Sequence, residues 1–286
     1  MGFLSILAAW LLLRWRGPIP ALQRDGWLPA WYRRADRWLA PLPAELRPLL
    51  ICALPCLPVA LLAYLLAPWL GGVLLFAFGL AVLLYSVGRG DMRAELDAYL
   101  ERWSRGDLEA AYQAAAQVVD VDGQQPVENA ADLHARVRRA LLYTALERWF
   151  AVVFWFYLLG PAAALFYRSV QWFVRQRSGA AEAQQALSRC LYWLEWLPVR
   201  LLGLTFAVTG NFAGCFRAWR EHFAAAGASA DLLALYAERA QSGASAASDE
   251  PHFEQRAGAE LRELNALLGR SAIAWLVLFA LLQMVR

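Results

Sequence analysis

Lysine is missing from the chain: the 27 basic residues are all arginine, set against 24 acidic ones. Without it there is no Schiff-base amine, and the G-x-x-x-x-G-K-[ST] phosphate cradle is excluded outright. Charge of either sign is scarce at 18% of residues, while 60% are hydrophobic and 13% aromatic. That balance is too apolar for an ordinary soluble domain, so much of the surface must meet something other than water. Sulfur and imidazole are thin as well. The four cysteines, Cys52, Cys56, Cys190 and Cys215, show no C-x-x-C or Cys/His spacing and read as unpaired structural thiols. The three histidines, His134, His222 and His252, are scattered through charged segments and support no metal site. A net charge of +3, with arginines flanking apolar runs, argues against nucleic acid as a partner.

Uninterrupted apolar sequence is what the chain has in plenty. Residues 49–67, 69–88, 149–167 and 201–216 carry no Asp, Glu, Arg, Lys or His. At about 1.5 Å of rise per residue, about 20 such residues match a hydrocarbon core of roughly 30 Å, so the first three runs are long enough to span it. A fifth run, 271–285, is shorter and borrows Ala266, Leu267 and Leu268 from the turn before it, leaving Arg270 to snorkel toward a headgroup. The first apolar piece, 2–13, has no basic residue before it, and Arg14 and Arg16 follow where a small-residue cleavage site would lie. It reads as a tilted, interfacial or partly inserted helix rather than a secretion signal. No strand alternation survives anywhere. The expected fold class is therefore all-α: a polytopic helical integral membrane protein with two cytoplasmic helical segments and broken or re-entrant helices, the lipid bilayer being its first partner.

Arginines give the orientation. Arg33, Arg34, Arg37 and Arg47 precede the first strong run and Arg89 and Arg93 follow the second, so both flanks read as cytoplasmic, with a tight turn near Pro68 on the far side. The resulting division is an N-terminal short apolar helix with an Arg-rich juxtamembrane segment (1–48), a transmembrane hairpin (49–88) and a cytoplasmic helical segment (89–148). Broken transmembrane or re-entrant helices (149–216), a second cytoplasmic helical segment with a linker (217–270) and a C-terminal transmembrane helix (271–286) follow. In the first cytoplasmic segment Asp91 caps one helix, and Gly106 and Asp107 end it and cap another. DGQQP at 122–126 is a turn, and a third helix starts near Asn129 and runs unbroken into the next apolar stretch. The second segment holds helices at 217–226, 229–241 after a Ser229 cap, and 252–269, with 242–251 a flexible linker.

Span counting and charge conflict at 149–167. A full crossing there leaves Arg168, Arg175, Arg177 and Arg189 outside against only Glu182 and Glu195, the wrong asymmetry. Gly160-Pro161 offers a resolution: glycine permits a sharp bend and proline disfavours helical geometry in the residue before it, so the stretch becomes two half-helices that dip in and return. Pro198 interrupts a second apolar stretch, bracketed by Glu195 and Arg200. Two interrupted segments facing each other line a site through freed backbone groups; in the other reading both prolines merely kink ordinary spans. Trp149, Trp155, Trp172, Trp193 and Trp196 suit either an interfacial belt or protein-docking anchors.

Three blocks carry a resemblance: RGDMRAELDAYLERWSRGDL, then ENAADLHARVRRALLYTALERWFAVVFWFYLLGPAAALFYRSVQW, then LEWLPVRLLGLTFAVTGNF. Together they resemble the AmpE family over most of the chain, inner-membrane proteins associated with AmpD, peptidoglycan recycling and β-lactamase induction. That family belongs with the CobD/CbiB group, membrane enzymes that join an aminopropanol group to a corrinoid carboxylate at the expense of ATP. Arg139, Ala140, Glu147, Gly160, Pro161, Tyr167, Arg168, Val170, Pro198 and Arg200 match the group's blocks R-A-x-x-E-S-x-A-E-N, G-P-x-G-A-x-x-Y-R-x-V-N-T-x-D-S-M and L-D-D-x-x-N-x-x-P-A-R-L. The remaining acids and amides are replaced: Tyr143 stands at the first glutamate, Arg148 at the asparagine, Gln171-Trp172 at N-T, Val174 at the aspartate and Leu191-Tyr192 at D-D. A magnesium nucleotide needs hard oxygen ligands, so the resemblance implies a retained binding scaffold rather than a cobinamide synthase.

The expected function is a non-enzymatic inner-membrane regulator that binds an anionic or lipid-linked cell-wall ligand, or a membrane-protein partner. Arg139, Arg168 and Arg200 would grip the anion through bidentate contacts, with Glu147 orienting one of them. Arg148, Tyr167 and Asn211 complete the candidate set, which includes no catalytic residue, metal or cofactor. Two alternatives stand beside it. One is a divergent CobD/CbiB-like ATP-dependent amide ligase or transferase, needing ATP and magnesium. The other is a structural protein that docks a membrane partner through its aromatics.

Overall fold

A backbone that meets lipid must satisfy its N–H and C=O groups internally, and long apolar runs do so as helices. The computed structural model describes residues 2–19, 22–23, 25–88, 90–118, 129–176, 180–241 and 253–285, and among them every element is helical. In chain order these are α1 (Gly2–Arg16), α2 (Trp27–Trp38), α3 (Leu46–Ala53), α4 (Cys56–Leu66), α5 (Val73–Ser86), α6 (Met92–Ser104) and α7 (Leu108–Val118). They continue with α8 (Ala130–Ala145), α9 (Ala151–Leu159), α10 (Pro161–Arg175), α11 (Ala181–Thr209), α12 (Phe212–Glu221), α13 (Ser229–Ala240) and α14 (Phe253–Val285). A π-turn at Leu146–Phe150 joins α8 to α9. Four helical stretches, Leu46–Leu66, Ala130–Leu159, Ala181–Thr209 and Phe253–Val285, are long and apolar enough to cross a membrane. The chain is an all-α membrane protein. The turn expected at 122–126, the linker at 242–251, and Arg89, Arg177 and His252 lie outside the described residues.

Two compact units emerge. The first takes Met1–Arg89, Glu147–Pro198 and Leu278–Arg286. Its centre is α10, which packs on α9, α3, α4 and α5, while α1 lies along α5. α9 and α10 pack side by side because Gly160 reverses the chain at φ +84°, a left-handed value that a β-carbon would strain, and Pro161 then opens α10. The expected reversal at Gly160-Pro161 is present. Pro198 behaves differently: α11 runs through it without a break. A proline inside a helix orphans the carbonyl four residues earlier, here that of Leu194. The indole Nε1 of Trp155 donates to that oxygen at 3.0 Å, so the helix keeps its course. Trp155 is thus hydrogen-bonded to a neighbouring helix.

The second unit takes Gly90–Leu146 and Val199–Val277. Its caps follow the sequence closely. The Asp91 carboxylate accepts from the N–H groups of Arg93 and Ala94, Asp107 accepts from Ala110, and the Asn129 side chain accepts from Asp132. Ser229 is the exception, because α13 already includes it and the cap position belongs to Ala228. α12 begins at Phe212 rather than 217, since Asn211 caps it by accepting from Gly214 at 3.4 Å. α14 is a single helix through Arg270, so no boundary separates a 252–269 helix from a C-terminal span. One glycine costs a helix only about 1 kcal/mol, and burial of Leu267, Leu268 and Ser271 around Gly269 outweighs it. α8 is tied to α14 by Arg138, whose Nη1 lies 2.8 Å from Glu260 Oε1, and by His134, whose Nε2 lies 3.1 Å from Glu260 Oε2.

Candidate functional site

α10 starts as proline dictates, with the N–H groups of Ala163 and Ala164 turning back to the Gly160 carbonyl. From there a spacing of three and four residues sets Arg168, Gln171 and Arg175 on one face. Arg168 Nη2 lies 3.1 Å from Asp25 Oδ2, and its Nη1 donates to Gln171 Oε1 at 2.5 Å. Gln171 Nε2 in turn donates to Glu147 Oε2 at 2.8 Å, while Arg175 Nη1 lies 3.1 Å from Glu147 Oε1. The amide of Gln171 has only one workable orientation here, carbonyl to the guanidinium and amino group to the carboxylate. Asp25 Oδ1 accepts from the Tyr85 hydroxyl at 3.1 Å, and that hydroxyl accepts from Trp27 Nε1 at 2.8 Å. Beside this line, Tyr167 donates to Glu195 Oε1 at 3.2 Å. Glu147, Tyr167, Arg168, Gln171 and Glu195 are all buried.

Two guanidinium groups and two carboxylates alternate along the network, with one amide between the pairs. Opposite charges placed this way offset desolvation that neither could bear alone. Arg168 Nε is the exception: buried, and with no hydrogen-bond partner among the described residues. Glu147 owes its position to the π-turn at Leu146–Phe150, a local widening of the helix that shifts side-chain direction and frees a carbonyl. The Arg148 carbonyl accepts from the Gly88 N–H at 3.0 Å. No other residue fits at Gly88, where a β-carbon would sit 2.8 Å from Arg148 Cα. A cleft of about 400 Å³ opens at the reversal, lined by Ser5, Gly79, Phe156, Tyr157, Pro161 and Gln283 among others. Among the described residues no group of three or more His, Cys, Asp and Glu side chains is placed to hold a metal ion.

The candidates read from sequence divide between the units. Glu147, Arg148, Tyr167 and Arg168 belong to the first, and Glu147 and Arg168 meet through Gln171. Arg139, Arg200 and Asn211 belong to the second, each with its own partner. Arg139 pairs with Asp231 at 2.9 Å on an exposed surface. Arg200 is buried and donates to the carbonyls of Phe223 and Ala225 at 2.9 and 3.0 Å, holding the chain just past α12. Asn211 caps α12. Sequence reasoning missed Asp25, Gln171, Arg175 and Tyr85 as members of the network. The helical spacing of 168, 171 and 175 was a usable signal; no local pattern ties Asp25 to Arg168 across 143 residues.

Protein AmpE of Shigella flexneri is 26% identical over 143 residues, covering 48% of this chain and 50% of that protein. Cobalamin biosynthesis protein CobD of Chromobacterium violaceum is 28% identical over 149 residues, covering 49% of this chain and 46% of that protein. The chain thus spans about half the length of the curated relatives it matches. No solved structure matches. The family described as regulatory signalling modulator protein AmpE matches residues 17–282, nearly the whole chain, and the protein belongs to that family.

Proposed function

We propose that this protein is a regulator in the bacterial inner membrane that acts by binding an anionic ligand or partner group, and that the α10 network is its responsive element. The carrying observation is that Arg168 and Arg175, on one face of a buried helix, are held by the chain's own carboxylates, Asp25 and Glu147. A phosphate or carboxylate on a ligand offers the same acceptor geometry. By exchanging with Asp25 or Glu147 it releases the segment before α2, or the π-turn that carries Glu147. Capture is thereby converted into movement, because the ligand favours the exchanged state by its differential affinity alone. The family's description as a signalling modulator supports a regulatory role. An anionic or lipid-linked cell-wall fragment as ligand, a link to peptidoglycan recycling and β-lactamase induction, and cytoplasmic placement of the charged segments extend the family resemblance.

The test compares Arg168→Ala and Arg175→Ala with Arg139→Ala, which lies outside the network, in cells whose own copy is deleted. At equal membrane abundance, the two network variants lose the protein's effect on β-lactamase induction and Arg139→Ala keeps it. Normal induction with both network variants removes the proposed site. A melting-temperature rise of the purified wild type with Mg-ATP would instead favour a ligase, since only a binder of the nucleotide is stabilised by it.

A further inference from the structure

α12 carries a feature that the α10 network does not use. Phe212 stacks on Phe216 at 5.2 Å between ring centroids, Phe216 on Trp219 at 5.7 Å, and Trp219 meets Phe223, just past the helix, at 4.9 Å. At about 100° per residue, the three helical members fall within about 60° of one another, forming a single edge. That edge is open: Phe212 is 55% exposed and Phe223 37% exposed. The face packed inward is a different one, made by Cys215 and Ala218. Exposed Arg217 and Arg220 flank the aromatic edge on the side away from the buried face. An aromatic stripe beside an arginine stripe is the pattern of a helix lying at the boundary of acyl chains and headgroups.

The fold also places this helix at the end of a stretch apolar enough to cross a membrane. α12 begins three residues after Thr209, the end of a helix apolar enough to cross a membrane, and three extended residues reach at most about 11 Å. It does not climb away from there. Cys215 Sγ contacts the Gly203 carbonyl at 3.5 Å and Trp219 Nε1 donates to the Arg200 carbonyl at 2.8 Å, so α12 folds back along the last turns of α11. The aromatic edge continues the outer surface of α11, where Val208 is 68% exposed. We infer that α12 is a membrane-contact helix packed along the end of α11, with Phe212, Phe216 and Trp219 facing the outer part of the acyl chains and Arg217 and Arg220 reaching the phosphates of anionic phospholipids. Charge alone had placed residues from 217 onward in the aqueous compartment.

The full chain in phospholipid nanodiscs tests this, with Cys190→Ser removing the one cysteine that is not buried. A bimane probe at Phe212→Cys, on the aromatic edge, is compared with probes at Leu61→Cys, exposed on α4, and at Glu109→Cys, exposed on α7. Lipids brominated near the headgroup end of the acyl chain quench the Phe212→Cys probe as they do the Leu61→Cys probe, and aqueous iodide quenches it far less than the Glu109→Cys probe. Free access to iodide overturns the inference. Shielding from both quenchers also overturns it, since protein would then cover the edge. In a second arm, Arg217→Gln and Arg220→Gln each lower retention of phosphatidylglycerol relative to phosphatidylcholine about fivefold. Unchanged retention in a double variant that stays monodisperse refutes the headgroup assignment.

Discussion

Gln171 is the most exacting point at which to perturb the network, because its amide donates to one charged partner and accepts from another. Gln171→Leu keeps nearly the same volume, so the cavity contribution is small and what is lost is hydrogen bonding. Two bonds to charged groups disappear, the 2.5 Å bond from Arg168 and the 2.8 Å bond to Glu147. Each such bond contributes about 1.5–3 kcal/mol, or about 3–6 kcal/mol together. The lower end is expected, because Arg168 keeps Asp25 and Glu147 keeps Arg175. For a chain of this size about 3 kcal/mol corresponds to a fall of about 6–12 °C in melting temperature. Intrinsic fluorescence of the 14 tryptophans follows unfolding of the detergent-solubilised protein. Arg105→Ala is the control, since it breaks only the exposed pair with Glu101 and leaves the melt unchanged. A Gln171→Leu melt within about 2 °C of wild type, equivalent to less than about 1 kcal/mol, refutes the view that this amide couples the two ion pairs.

Further expectations concern the second unit. Glu260→Gln removes the charge that Arg138 and His134 share, and breaking a buried pair costs about 3–5 kcal/mol; faster amide hydrogen exchange in α8 and α14 reports it, and unchanged protection counts against the tie. Gly203→Ala sets a β-carbon 2.4 Å from Tyr236 Cδ2 and destabilises by about 1–3 kcal/mol, whereas Gly269→Ala meets nothing within 4 Å and stabilises by up to about 1 kcal/mol. Opposite shifts in the two melts are the check. Burial pushes the Cys215 thiol up to about 12 from 9.0. The unfolded chain therefore releases that proton first, and the thiol's contribution to stability is full below about pH 9 and is lost as pH rises toward 12. Maleimide labelling at pH 8 leaves Cys215 unmodified in the folded chain and modifies it after denaturation; native labelling contradicts the burial.

Much of the architecture is legible because it depends on local chemistry. Asp91, Asp107 and Asn129 announce helix starts through side chains that reach only two or three residues ahead. Gly160-Pro161 announces a reversal for an equally local reason: a positive φ followed by a ring that suits the first position of a helix. Pro198 misleads because its remedy is remote, coming from Trp155 some forty residues earlier. The network follows the same rule. Arg168 and Glu147 stand out as charges in apolar surroundings, but Asp25 becomes their neighbour only through tertiary folding. Arg200 looks like a ligand arginine because sequence cannot reveal that main-chain carbonyls at 223 and 225 claim its guanidinium.

The indole that serves Leu194 makes the stiffness of α11 a borrowed property. A helix with its own unbroken ladder needs no neighbour; this one leaves a main-chain carbonyl in the middle of a 29-residue element to be satisfied by α9.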